Sequence, residues 1–335
     1  MGAGAATPPR RVPGGAAIRT LIEEEAPVLS RPESVTDESV RQAVQHHWSV
    51  AASEISYLAV GFGAHHWRVG GAQRQLFVTL DELAPRHTTE SLENAYAGAA
   101  VLAASGLEFV WPSLPATSGR FTVDFAGTGG ALSVTPWLTG TTPSEAEAAE
   151  PAHLREVIAL LDRLHRARPP AGLRRWRPRV DADFPRQLAA ATARPWLAGP
   201  LGEQARTAIR AELDQIGRWT DRYRELAAVA QRHQDRWVPT HGEPHHANQV
   251  VTSGGVVLVD WESLMLAPRE RDLADLIEAG AADDLDPDWA MVELFALDWR
   301  LAEIGEYTRW FTRAHSGNED DHVALEGLRE ELHTP

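Results

Sequence analysis

The fold is decided by one dense polar stretch and by a short acidic motif that follows it. The stretch reads Thr240-His241-Gly242-Glu243-Pro244-His245-His246-Ala247-Asn248. About a dozen residues later comes Val259-Asp260-Trp261-Glu262, at the end of the apolar run Val256-Val257-Leu258-Val259. The first motif places a carboxylate, Glu243, on a loop kinked by glycine and proline. The second places Asp260 at the end of a predicted buried strand.

The oxygen-bearing side chains of these motifs suit phosphoryl transfer. Asn248 and Asp260 form an oxygen-only pair, and Mg²⁺ prefers one or two carboxylates completed by phosphate oxygens and water. Glu243 is then left to accept a proton from a hydroxyl group. A base, a metal clamp and little covalent chemistry are what phosphoryl transfer requires.

Two other interpretations of the same residues stay open. His241, His245 and His246 together with the carboxylates could form a zinc site, but Gly242 and Pro244 argue against the continuous helix that such spacing needs. The simplest alternative is a polar loop with capped strand ends.

The residues before this stretch predict a small α+β sheet domain. Thr36 offers a helix N-cap, and the elements predicted after it have the order β-β-β-α-β-β. They are a helix from Thr36 to about Trp48, strands at 55–60, 66–69 and 76–80, a helix at 88–104, and strands at 120–125 and 131–135. From Ser144 onward helices dominate. We predict them at about 147–166, 203–233, 271–279 and 288–315, with one β interruption at 237–260.

Composition excludes several classes of function. All 32 basic residues are arginine, so Schiff-base chemistry on a lysine is impossible. The net charge of −15 opposes binding to nucleic acids and anionic membranes, and favours cationic ligands. The chain contains no cysteine, and no apolar run approaches the length of a membrane span. We expect a cytoplasmic protein, a monomer or homodimer, with a flexible leader over residues 1–35 that could order over the site as a lid.

The two motifs, HGEPHHAN and DWE, resemble those of the aminoglycoside phosphotransferase family, whose usual patterns are HGD-x-H-x-x-N and D-[FW]-[DE]. The resemblance implies a bilobal protein-kinase-like α+β fold with a small β-rich N-terminal lobe and a larger, mainly helical C-terminal lobe. It assigns residues 36–138 to the N-terminal, nucleotide-binding lobe and residues 139–335 to the C-terminal lobe with the catalytic loop.

The resemblance also implies roles for individual residues of both motifs. Glu243 takes the place of the catalytic base, with His241 and His245 supporting its loop. Asn248 and Asp260 take the metal places. Two further residues stand beside the metal or the substrate: Glu262 and Trp261, whose ring could stack on a substrate.

In the N-terminal lobe the resemblance points to two nucleotide-binding segments. Residues 133–138, with Thr135 and Trp137, take the place of the hinge that holds the nucleotide base. Residues 60–66 take that of the phosphate-covering turn, with Gly61, Gly63, His65 and His66.

In the N-terminal lobe, one position departs from the family pattern. Where the family carries a phosphate-binding lysine on the third strand, this chain has Thr79, and Glu93 on the following helix has no ammonium to meet. Positive charge could come instead from Arg68, His65, His66, Arg74 or Arg86.

The expected function is transfer of the γ-phosphate of ATP or GTP, with Mg²⁺, to a hydroxyl group of an antibiotic or related natural product, in resistance or self-resistance. The alternative is a pseudokinase-like binding or regulatory protein that has kept the fold and lost transfer. Thr79 in place of lysine and Glu243 in place of aspartate motivate that alternative.

Overall fold

The computed structural model describes residue 31 and residues 35–60, 64–71, 74–83, 87–125 and 127–333. The chain divides into two compact units. The first contains the described residues of Ala26–Arg177 and Arg232–Pro287, and the second contains those of Pro178–Gln231 and Asp288–Pro335. The N-terminal sheet and both sequence motifs therefore belong to the same unit.

The N-terminal part of the first unit is built around an antiparallel sheet with the strand order β1-β2-β3-β5-β4. Its elements are α1 (Asp37–Trp48), β1 (Glu54–Leu58), β2 (Ala64–Gly70), β3 (Gln75–Glu82), α2 (Thr89–Ala104), β4 (Thr122–Phe125) and β5 (Gly130–Pro136). Thr36 and Thr88 cap the two helices through reciprocal hydrogen bonds with Ser39 and Ser91. The predicted order β-β-β-α-β-β is observed.

The two faces of β3 serve different purposes. One face packs into the apolar core beneath α1, and its residues are Leu76, Val78 and Leu80. Because side chains alternate across a strand, Phe77, Thr79 and Asp81 lie on the other face. Tyr96 of α2 packs on that second face with Ala131 of β5.

The rest of the chain is mostly helical. Its helices are α3 (Glu145–Ala148), α4 (Pro151–Arg166), α5 (Phe184–Thr192), α6 (Gly202–Ala211), α7 (Leu213–Arg232), α8 (Ala274–Leu276), α9 (Ala282–Leu285), α10 (Trp289–Thr312) and α11 (Glu319–His333). Two short antiparallel pairs interrupt them: β6 (Val238–Thr240) with β9 (Met265–Ala267), and β7 (Gln249–Thr252) with β8 (Gly255–Leu258).

Three helix predictions were wrong in detail. The helix predicted from residue 147 begins at Pro151, because proline is tolerated in the first turn of a helix but not in its interior. The helix predicted at 203–233 is divided at Glu212, whose N–H bonds Ile209 three residues back. The helix predicted at 271–279 is a 3₁₀ turn, a single α turn and a π-helical turn in which Gly280 has a φ of 95°. Helices α5, α9 and α11 were not predicted.

In the second unit, the buried Asp298 of α10 joins α7 to the segment that precedes α5. The Tyr223 hydroxyl of α7 donates to Asp298 of α10 at 2.5 Å, and the Arg179 guanidinium donates to the same carboxylate at 2.9 Å. Across the described parts of both units, no helix combines the length and apolar character needed to span a bilayer.

Candidate active site

Residues 241–248 form the candidate catalytic loop, which begins where β6 ends. The backbone conformation of its second residue favours glycine. Gly242 has a φ of 101°, a conformation that favours glycine. A Cβ atom at this position would also collide with the guanidinium group of Arg271. The glycine of the HGE motif is therefore required by both the turn and its packing.

Asp272 braces the start of this loop. Its carboxylate accepts hydrogen bonds from the backbone N–H groups of His241 at 3.0 Å and Gly242 at 2.6 Å, and from Nε2 of His165 at 2.9 Å. Burial alone would raise the pKa of Asp272, but the hydrogen bond from His165 and the charge of Arg271 hold that pKa below its usual value. Asp272 therefore fixes the backbone at the start of the candidate catalytic loop.

His241 is a neutral, fully buried support for the loop. Its Nε2 lies 2.8 Å from the carbonyl of Val259 and its Nδ1 accepts from the N–H of Glu243 at 3.3 Å. Since a carbonyl only accepts, the proton resides on Nε2. Burial lowers the pKa of His241, which agrees with the neutral form. Both ring nitrogens are engaged, so the geometry gives no support to a zinc site that includes His241.

Glu243 and Asn248 are tied together across the loop. The half-buried Glu243 carboxylate lies 3.4 Å from the hydroxyl of Ser263. The amide nitrogen of Asn248 donates to the backbone carbonyl of Glu243 at 2.9 Å and contacts Nε2 of His245 at 3.3 Å. Because the nitrogen end of the amide is committed to these contacts, the oxygen end is the one suited to a cation.

Asp260 presents an exposed carboxylate from a left-handed backbone, with a φ of 64°. Such conformations cost free energy in residues other than glycine and concentrate at functional sites. Trp261 next to it is 2% exposed, donates its indole N–H to Leu258 at 2.8 Å and packs its ring 4.5 Å from that of His241. The structure therefore places Trp261 in the core beneath Asp260 and does not place it on a surface that a substrate could stack on.

Glu262 joins an acidic group that reaches into the N-terminal sheet. The Glu262 carboxylate lies 3.2 Å from Nε2 of His87. Burial, together with the nearby carboxylates of Glu262 and Asp260, raises the pKa of Asp81 on β3 well above its usual value. The hydroxyl of Tyr96 lies 3.4 Å from Asp81. Sequence reasoning missed Asp81 and His87. The signal for Asp81 was an acid two residues after Thr79, and therefore on the same face of the strand.

The sheet face that we predict to bind the nucleotide carries several aromatic rings. Thr79 contacts Nδ1 of His66 at 3.2 Å, and the ring of His66 lies 4.9 Å from that of Phe77. Phe77 in turn lies 6.3 Å from Trp137 and pairs in register with Thr135. Burial lowers the pKa of His66 to about 4, helped by the charge of His65, so His66 is neutral at pH 7.

The other residues predicted to contact the nucleotide do not lie together in one cluster. His65 lies on the core side of the sheet, where its Nδ1 contacts the hydroxyl of Tyr57 at 3.1 Å. Arg68 stacks 4.5 Å from the ring of Trp137, and Arg74 is exposed. Gly61, Gly63 and Arg86 lie outside the described residues.

Glu93 does not face Thr79. Its carboxylate accepts from the backbone N–H groups of Phe121 and Thr122 at 2.9 and 3.0 Å, and from the hydroxyl of Thr122. The expectation that Glu93 is the partner of the third-strand position was therefore wrong. The helix presents Tyr96 to the strand instead.

A divalent cation would find an incomplete set of protein ligands here. Among the described residues, no group of three or more histidine and carboxylate side chains is arranged to hold a metal. Asn248 and Asp260 supply one amide oxygen and one carboxylate, and Mg²⁺ commonly completes such a pair with phosphate oxygens and water. The donor set therefore fits Mg²⁺ bound together with a nucleotide.

Comparisons with known proteins agree with this architecture. The model of the phosphotransferase enzyme family APH matches residues 54–308. Protein StrN from Streptomyces griseus is 33% identical over 264 residues, which cover 72% of this chain and 77% of StrN. The structure of a spectinomycin phosphotransferase in complex with ADP and spectinomycin is similar with a TM-score of 0.69 at 14% identity, over 90% of this chain and 96% of that one. An ethanolamine kinase from Plasmodium vivax gives 0.60 at 12% identity, over 94% and 93%.

Fold and site together define a kinase-like phosphotransferase that acts on an alcohol group. The chain belongs to the APH phosphotransferase enzyme family. The predicted family and enzyme class are confirmed. The predicted fold class, with a small β-rich N-terminal part and a larger, mainly helical C-terminal part, is confirmed as well.

Proposed function

We propose that this enzyme transfers the γ-phosphoryl group of ATP or GTP to a hydroxyl group of an antibiotic or a related natural product, with Mg²⁺. The observation that carries the proposal is the intact catalytic loop. Glu243 and Asn248 are tied to each other at 2.9 Å, and Asp272 holds the loop through two backbone hydrogen bonds.

In this mechanism each side chain of the loop has one task. The carboxylate of Glu243 orients the acceptor hydroxyl and takes its proton, while the hydroxyl of Ser263 limits where that carboxylate can lie. Asn248 and Asp260 would hold Mg²⁺, which supplies charge neutralisation for the phosphate oxygens. His241 keeps the loop and the end of β8 in register, because it bonds both Glu243 and Val259.

The nucleotide is assigned to the sheet face of residues 36–138, where Phe77, Thr135 and Trp137 lie together. Residues 139–335 would supply the loop, the metal pair and the acceptor contacts. A location in the cytoplasm, where nucleoside triphosphates are available, fits this chemistry.

The acceptor class is proposed from charge and from the relatives. The net charge of −15 attracts a polycationic acceptor, and one structurally similar protein is a spectinomycin phosphotransferase in complex with ADP and spectinomycin. An aminoglycoside or aminocyclitol is therefore the first class to test. A role in resistance or self-resistance would follow from modification of such a molecule.

A pseudokinase-like binding protein is the second candidate, and the nucleotide face favours it. Thr79 contacts a neutral His66, and the next residue on that face is the acid Asp81. Calorimetry with ATP and Mg²⁺ separates the two candidates. Nucleotide binding that is lost in Asp260→Asn supports the enzyme, whereas no binding at millimolar nucleotide supports the second candidate.

The test of the main proposal is a transfer screen. Purified protein is incubated with radiolabelled ATP or GTP, Mg²⁺ and a panel of aminoglycosides, aminocyclitols and neutral hydroxylated antibiotics. We expect one acceptor class to be labelled, and expect Glu243→Ala and Asp260→Asn to lose the labelling. Equal labelling by the variants, or no labelled acceptor in the panel, would contradict the proposal.

A further inference from the structure

A buried side-chain amide connects the catalytic loop to helix α4. Gln249, the first residue of β7, is 3% exposed. Its Nε2 donates to the backbone carbonyl of Pro244 at 2.8 Å, and its Oε1 lies 2.5 Å from Nε2 of His153 in α4. Because an amide oxygen only accepts, His153 is the donor in the second contact.

This amide works in parallel with that of Asn248. Asn248 donates to the carbonyl of Glu243, and Gln249 donates to the carbonyl of Pro244. Two consecutive side-chain amides thus bond two consecutive carbonyls of the same loop. Glu243, the candidate base, lies at one end of this pair of contacts, and Asn248, the candidate metal ligand, lies at the other. The separation between base and metal ligand is therefore fixed by two hydrogen bonds.

His153 determines which way the Gln249 amide points. Without a donor at Oε1, the amide could rotate and present its oxygen to the Pro244 carbonyl, which would repel it. Helix α4 is itself held to the same region at two other points. His165 bonds Asp272, and Oε1 of Glu156 accepts from the N–H of Val256 at 2.9 Å. The helix can therefore act as a fixed frame for the amide.

We propose that Gln249, oriented by His153, is a positioning residue that sets the distance between the Glu243 carboxylate and Asn248 during transfer. The role rests on the proposed phosphotransferase function. A displacement of about 1 Å in a reacting group can cost up to roughly 100-fold in rate. We expect loss of this hydrogen bond to act mainly on the chemical step, because Asp260 stays in place to hold the Mg²⁺ that binds with the nucleotide.

The first experiment compares Gln249→Met, Gln249→Glu and wild type. Methionine fills the same space without a donor, and glutamate can keep the contact with His153 while it loses the donor to Pro244. For both variants we expect kcat to fall about 10- to 100-fold, while the KM values for nucleotide and acceptor stay within about threefold. An unchanged kcat, or a rise in KM with kcat constant, would overturn the proposal.

Glu156→Ala is the matched control. It removes a hydrogen bond between the same helix and the far end of the β7–β8 hairpin, so it tests whether any loosening of α4 slows transfer. We expect its kcat to stay within about twofold of wild type. A loss equal to that of Gln249→Met would show that Gln249 acts only through general stability, and would overturn the proposal.

A measurement independent of turnover separates this inference from the proposed function. Hydrogen exchange followed by mass spectrometry should show faster exchange over residues 242–248 in Gln249→Met, with β6 and α4 unchanged. If wild type labels no acceptor, the proposed function fails while this result still decides whether Gln249 fixes the loop. Equal exchange in variant and wild type would overturn the inference.

Discussion

The catalytic loop and the nucleotide face of the N-terminal sheet differ in how their polar groups are satisfied. In the loop, backbone donors and acceptors from His241 to Pro244 meet buried partners on surrounding elements. On the sheet face, Thr79 meets a neutral histidine, and Asp81 lies close to two other carboxylates. Under the proposed function, this contrast means that the chain has kept the geometry of transfer and altered the way in which phosphates are held.

The strongest test of the loop is removal of its base. Glu243→Gln keeps the size of the side chain and its contact with Ser263, but it cannot accept a proton. We expect kcat to fall about 10²- to 10⁴-fold, the usual range for general base catalysis. Initial rates of labelled phosphate transfer measure the effect. Glu243→Asp restores the usual family residue and should retain more activity than Glu243→Gln. A glutamine variant as fast as the aspartate variant would contradict the role of base.

The brace under the loop should matter nearly as much, through stability. Asp272→Ala leaves the N–H groups of His241 and Gly242 and the ring of His165 without their buried acceptor. We expect the free energy of unfolding to fall by about 3–5 kcal/mol, measured by urea denaturation. Asp298→Ala, at the buried contact with Tyr223 in the second unit, is the control. Both variants should lose stability, but only Asp272→Ala should speed hydrogen exchange in the loop.

The difference between the two regions also explains what could be predicted from sequence. The loop could be predicted because Glu243, Asn248 and Asp260 lie at short spacings in the sequence. The sheet could be predicted because tight turns mark where its strands begin and end. Asp81, His87 and Tyr96 were missed, since their meeting with Glu262 depends on pairings between distant strands and helices. Glu93 was misassigned because helical spacing alone could not show which of its residues faces β3.

Thr79→Lys tests the altered sheet face. A lysine here would return an ammonium to the position where the family carries one, yet Asp81 and Glu262 lie nearby. We expect the ammonium to pair with these carboxylates, so that the KM for nucleotide changes less than about threefold. Thr79→Lys combined with Asp81→Asn should lower that KM further, because one competing acid is removed. A large decrease in the KM for nucleotide in Thr79→Lys alone would contradict this expectation. It would show that the sheet face lacks only the cation that the family carries at this position.

The smallest expected effect concerns the protonation of Asp81. Because the pKa of Asp81 is raised in the folded protein, the folded state retains the Asp81 proton to a higher pH than the unfolded state does. The contribution of Asp81 to stability is therefore fully present below its ordinary pKa of 3.8 and is lost as the pH rises through the folded value. Asp81→Asn should remove this loss of stability at higher pH, because asparagine cannot ionise. Its amide keeps an acceptor for Tyr96 and a donor for Glu262.

In chelator-containing buffer, Asp81→Asn should therefore be more stable than wild type at pH 7, and the difference should shrink toward pH 4. Thermal unfolding at several pH values measures it. Asp81→Leu is the control, because it also removes the charge but leaves the Tyr96 hydroxyl without its acceptor. If Asp81→Asn is less stable than wild type at pH 7, then burial does not raise the pKa of Asp81 in the folded protein. The sheet face would then stabilise a negative charge beside the proposed metal ligands, and the contrast with the candidate catalytic loop would not hold.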